Sequence, residues 1–74
     1  MLPRMATTNV GRRLRALRLE RGLTQEALAR AARLDRITII SLEVGRHRRP
    51  ALDSLMRLAR ALGTTPDDLL GVRQ

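Results

Sequence analysis

Apolar residues recur along this chain at helical spacing, with charged and small polar residues between them. Val10, Leu14 and Leu17 stand at i, i+4 and i+7, which marks one buried face of a first helix. Thr8 is placed to cap its start, and Gly22 to end it in a left-handed turn. Arg12, Arg13, Arg15 and Arg21 fall on the other faces. Thr24 opens a second helix, with its hydroxyl available to the first free backbone N–H groups and Glu26 suiting the helix dipole. Ala27, Leu28 and Ala31 are expected to face inward. Ala32, Arg33 and Leu34 form a tight turn. Asp35 caps a third helix that runs to about Val44 and stops at Gly45. Leu28, Ala32, Leu34, Ile39 and Leu42 build the shared core of this corner, and Ala29 allows the two helices to cross closely.

A fourth helix spans about Leu52 to Leu62, with Leu55, Leu58, Ala59 and Leu62 on one face and Gly63 after it. The run from Thr65 to Asp68 combines a cap residue, a proline at the first helical position and two acids in the first turn. That is a strong start signal, here for a short fifth helix from Pro66 to Leu70. No strand alternation and no repeat is present. The expectation is an all-α fold of five short helices. Residues 1–7 would form a mobile arm carrying Arg4, residues 8–71 the folded domain, and residues 72–74 a tail.

The chain has 74 residues, enough for one small domain that buries only about 60% of its unfolded surface. It lacks cysteine and any aromatic residue. The first rules out disulfides and thiolate metal sites, and fits a reducing cytoplasm. The second counts against single-strand binders, which stack bases on aromatic rings. Nothing calls for a metal or cofactor, and no apolar run suits a signal peptide or a membrane span. A soluble cytoplasmic protein is expected. Its 15 basic residues, all arginine, face 7 acidic ones, for a net charge of +8. Such a balance attracts polyanions, above all duplex DNA.

The third helix is where charge and pattern meet. With Ile39 and Leu42 inward, its outer face carries Ile37, Ser41 and Val44, with Arg36 and Ile40 at the edges. The major groove of DNA admits one helix, and first-turn residues of a helix docked this way meet base edges. Arg36 can donate two bonds to guanine, worth about 1–3 kcal/mol of discrimination. Ser41 can bond several bases, and Ile37 and Ile40 can meet thymine methyls. Thr24 and Gln25, at a helix N-terminus, suit a phosphate. Asp35 and Thr38 at the start of the third helix join that phosphate-facing set, as do Arg46, Arg48 and Arg49 in the basic loop before Pro50. His47 in that loop reads as a bystander. Arg18 and Glu43, at the rim of the core, are placed to meet as a partly buried ion pair that fixes the third helix on the first.

The runs VGRRLRALR (Val10 to Arg18) and RGLTQEALA (Arg21 to Ala29), with Ile39, Leu42, Glu43, Gly45, Arg46 and Pro50, resemble the phage repressor and Cro type of helix-turn-helix domain. Ala61, Leu62, Gly63, Asp68, Leu69 and Leu70 fit the same pattern, so the likeness covers residues 8–71. It implies a five-helix, lambda-repressor-like DNA-binding fold with the helix-turn-helix at residues 25–44, in most cases a dimer on a two-fold operator. By this resemblance Gln25 contacts a phosphate or orients the third helix. Arg36, Ile37 and Ser41 take the base-reading positions, Arg18 and Glu43 form a structural ion pair, and Arg46 to Arg49 hold the backbone. Three features depart from the pattern. Arg33 stands where the turn usually has glycine, at a cost on the order of 1 kcal/mol if it is left-handed. Ile40 and Val44 make the outer face unusually apolar. At 74 residues, the chain is expected to lack the further domain many relatives carry.

The function expected is therefore sequence-specific binding of duplex DNA by a transcriptional regulator, acting as a homodimer with helix 35–44 in the major groove. Phage-type regulators, restriction–modification controllers and self-repressing antitoxins all suit this size. The alternative is an antitoxin or protein-interaction module that offers the apolar face of the third helix to a toxin or another regulator. A single histidine and no paired acids in a cleft argue against an enzyme. Leu52, Met56, Leu70 and Val72 are the candidates for dimer contacts, being apolar residues left over once the core is filled.

Overall fold

The residues with helical spacing lie on five α-helices in a computed structural model, which describes residues 9–46 and 50–71. In order they are α1 (Asn9–Glu20), α2 (Gln25–Ala32), α3 (Arg36–Glu43), α4 (Leu52–Leu62) and α5 (Pro66–Leu70). Thr8, His47, Arg48, Arg49 and Val72 lie outside the described residues, as do the proposed arm and tail.

Each helix gives its apolar stripe to one centre. Leu14, Leu28, Ile39, Leu42, Leu58, Leu62 and Leu69 are fully buried, each contributing about 1.5–3 kcal/mol of hydrophobic stabilisation. α2 packs on α3 and α4, and α1 on α3 and α5. The inward face of α2 differs from expectation: Leu28, Ala29 and Ala32 are buried, Ala27 is half-buried, and Ala31 is exposed. An alanine stripe carries little hydrophobic direction of its own. The positions of α3 and α4 decide which alanines are covered.

The helix ends follow one device. After α1, α2, α3 and α4 a left-handed residue turns the chain, and the next N–H returns to the carbonyl five residues back. These bonds are Leu23 to Arg18 (3.0 Å), Leu34 to Ala29 (2.8 Å), Arg46 to Ser41 (2.8 Å) and Thr64 to Ala59 (2.9 Å). This is the Schellman arrangement. Glycine fills the left-handed position at Gly22, Gly45 and Gly63, but Arg33 fills it after α2, with φ 59°. The turn is thus of the ordinary shape and strained at Arg33. At the starts, the Thr24 and Thr65 hydroxyls accept from the N–H groups of Ala27 and Asp68. Asp35 corrects an expectation: it occupies the N-cap position of α3 in extended conformation, but its side chain makes no capping bond. The first α3 N–H groups bond the Asp35 carbonyl instead, from Thr38 (3.0 Å) and Ile39 (3.3 Å).

Two arginines of the α1 region tie the ends of the fold together. Arg13 donates to both the carboxylate and the carbonyl of Asp68 on α5. Arg21 donates to the carbonyl of Leu62 (2.9 Å), the last residue of α4, where a cation suits the helix dipole.

Candidate nucleic-acid interface

α3 reaches the surface because its short length and the left-handed Arg33 turn set it across α2 with one side uncovered. On its inner side Ile39 and Leu42 have no exposed surface. On its outer side Ile37 is 74% exposed and Val44 51%. Arg36 is exposed in the first turn, while Thr38, Ile40 and Ser41 are half-buried. Arg36, Ile37, Ile40 and Ser41 therefore share a solvent-reaching side. Ile40 and Ser41 are the more recessed of the four, so Arg36 and Ile37 stand furthest out.

α3 is held in place by a satisfied polar network. Arg18 donates through Nε to Glu43 Oε2 (2.7 Å) and through a terminal nitrogen to Oε1 (3.0 Å), a forked pair. The side chains are only 9% and 4% exposed. Another Arg18 nitrogen donates to the Leu23 carbonyl (2.9 Å), and Gln25 Nε2 donates to Glu43 Oε1 (3.3 Å). The network thereby links α1, the α1–α2 loop, the first residue of α2 and the last residue of α3. The hydrogen bond to Glu43 raises the Arg18 pKa against the opposing effect of burial, so the guanidinium stays charged. No buried side-chain nitrogen or oxygen lacks a partner among the described residues.

Gly11 completes this seating. A Cβ on Gly11 would stand 2.2 Å from the Leu42 carbonyl oxygen, so α1 and α3 touch backbone to backbone. Only the geometry shows this, because a glycine inside a helix pattern looks the same whatever faces it.

Around the start of α2, Arg15, Arg18, Thr24, Gln25, Glu43 and Val44 line a shallow hollow of about 380 Å³. Thr24 spends its hydroxyl on the Ala27 N–H (2.9 Å). Gln25 supports Glu43, the second of the two roles the resemblance offered it. Arg15 lines the same hollow from α1, a neighbourhood that no local sequence signal marks. Arg46 is exposed just past the end of α3. Asp35 is exposed at the other end, and its side chain makes no capping hydrogen bond.

The apolar residues expected to be left over divide. Leu52 and Met56, one turn apart on α4, are 69% and 46% exposed. Leu70 is corrected: it packs partly buried against the core, because α5 lies on α1 and α4 and turns Leu69 and Leu70 toward them. Among the described residues no group of acidic or imidazole side chains could hold a metal ion, and no helix is long and apolar enough to cross a membrane.

A helix-turn-helix family model matches residues 14–69 of the chain. An uncharacterized HTH-type transcriptional regulator of Methanothermobacter thermautotrophicus is 52% identical over 50 residues, spanning 68% of this chain and 71% of the relative. Among solved structures, the restriction–modification controller protein C.AhdI of Aeromonas hydrophila is 39% identical, covers 82% of this chain and 91% of its own, and superposes with a TM-score of 0.78. The P22 c2 repressor, solved in complex with a synthetic operator, is 30% identical over 86% of this chain and 96% of its own, with a TM-score of 0.80.

Proposed function

The chain belongs to the Cro/C1-type helix-turn-helix family, and from that membership we propose that it is a sequence-specific duplex-DNA-binding transcription regulator. It inserts α3 into the major groove. The observation that carries this reading is the bare outer side of α3 on a domain of net charge +8, seated by a buried ion pair and a backbone contact. A helix so fixed presents Arg36 and Ile37 at one depth and one angle, which base discrimination requires. Arg36 takes a guanine, and Ile37 with Ile40 takes thymine methyls, with Ser41 adding a hydrogen bond.

Phosphates supply most of the affinity. Thr24 and Gln25 bring the N-terminus of α2 to one backbone, with Thr38 and Arg46 toward the backbones that flank α3. Arg48 and Arg49, which follow Arg46 closely in the sequence, are assigned to the same phosphate-binding role. The exposed Asp35 carboxylate repels phosphate, so Asp35 serves through its backbone carbonyl, which accepts from Thr38 and Ile39 at the start of α3. Residues 8–71 form the binding domain, and the protein works as a cytoplasmic homodimer on a two-fold site, without catalysis.

The test is selection of duplexes from a random pool, by the wild type and by Arg36→Ala. The expected result is one enriched site, with the variant losing preference at a single position of each half-site. Equal affinity of the wild type for every duplex would overturn the reading. A second reading, docking of a protein partner such as a toxin or another regulator, is favoured by the exposed Ile37 and Val44 alone. It predicts that duplex DNA and the partner compete for α3.

A further inference from the structure

We propose that Arg33, Arg57 and Arg60 form a second phosphate-binding surface for duplex DNA, at the end of α2 opposite Thr24 and Gln25. The proposal rests on α3 entering the major groove, as above. The three arginines line an open hollow of about 540 Å³ between the end of α2 and α4, completed by Ala31, Ala32 and Ala61. Alanines leave nothing to keep a phosphodiester away from the guanidinium groups.

The arginines are set for an external anion. Arg57 is fixed by Asp53 (3.1 Å) and by the Arg33 carbonyl, to which it donates (3.2 Å). The side chains of Arg33 and Arg60 make no hydrogen bond or ion pair among the described residues. Two uncompensated cations beside a third repel one another, which is unfavourable for the free protein and favourable once a polyanion lies across them.

Arg33 adds an independent observation. The positions that follow α1, α3, α4 and α5 in left-handed conformation are all glycine, with φ of 70°, 87°, 69° and 75°. Arg33 alone among described non-glycine residues has positive φ, at a cost of about 1–2 kcal/mol. Folding favours glycine there. A strained position that keeps a long cationic side chain points to a use for that side chain.

Its place selects the anion. Arg33 precedes Arg36 by three residues, so their Cα atoms are at most about 11 Å apart. The major groove is about 12 Å wide. With the first turn of α3 inside the groove, Arg33 stands over one wall of it, and that wall is a line of phosphates. Arg57 and Arg60 continue the charge away from Arg33 along α4.

The experiment compares wild type, Arg33→Gly and Arg60→Ala on one duplex recovered by selection and on a scrambled duplex, across a salt series. Each variant should weaken both duplexes by the same factor. Each should also make the fall of log K with log salt shallower by about 0.9, one phosphate contact. Arg33→Gly should melt no lower than the wild type, which separates lost contact from lost fold. An unchanged salt slope in both variants, on a duplex that the wild type binds specifically, overturns the second surface alone. So does weakening confined to the selected duplex, since that is base reading. A wild type that retards no duplex overturns the placement of α3 and this surface with it.

Discussion

Arg18 shows what one side chain decides here. Its guanidinium holds both oxygens of Glu43 and a backbone carbonyl at once, where neither member of the pair reaches 10% exposure. Removing one partner strands a buried charge, which costs about 3–5 kcal/mol. Arg18→Ala and Glu43→Ala are each expected to lose about that much in urea unfolding, and the double variant much less than the sum. Additive losses would mean that the pair is not coupled. Asp68 makes the contrasting case on the surface. A hydrogen bond from Thr64 (2.6 Å), then the Arg13 contact, hold its carboxyl below the ordinary 3.8. Its folded pKa is depressed, so its contribution is whole above the ordinary value and drains away as pH falls through the folded one. Asp68→Asn should therefore lower the melting temperature at neutral pH and leave it unchanged in strong acid. An equal loss at both pH values would refute the assignment.

At the scale of the element, α3 is only eight residues long, too short to hold itself together without tertiary contacts. Its seat on α1 is the contact between Gly11 and the Leu42 carbonyl. Gly11→Ala improves intrinsic helix propensity, yet forces the two backbones apart. It is expected to destabilise the domain by about 1–3 kcal/mol and to lower the preference for the selected duplex more than the affinity for a scrambled one, since the angle of α3 changes. A stabilised variant with unaltered preference would show the contact to be slack. The helix starts and stops were legible, because caps, glycines and the Thr65-Pro66 signal act within a few residues. Ala31 lies off the inner face that the pattern predicts for it, and Asp35 does not cap with its side chain. Both depend on where neighbouring helices lie rather than on the local run of residues.

For the whole molecule, the large apolar residues still exposed among the described residues once α3 is assigned to DNA are Leu19 on α1 and the pair Leu52 and Met56 on α4, and the pair, one turn apart, is the surface proposed for the dimer. Leu52→Glu with Met56→Glu leaves the inner α4 face of Leu55, Leu58, Ala59 and Leu62 untouched. It should remain folded, sediment as a monomer, and protect one half-site where the wild type protects two. A wild-type protein that is monomeric on its duplex would remove this surface from the account.

The periodic leucines, the capping residues and the arginine excess are properties of neighbours along the chain, so the order of five helices and the attraction to polyanions follow from sequence alone. Even the meeting of Arg18 with Glu43 is anticipated, since each adjoins a core residue on its own helix. The three-dimensional packing decided what depends on distance between segments far apart in the chain. It set the backbone contact at Gly11, the packing of Leu70 against the edge of the core, the place of Arg15 beside Gln25, and the convergence of Arg33 with Arg57 and Arg60. Each of these joins residues that become neighbours only when the core closes, and a one-dimensional pattern carries no term for that closure.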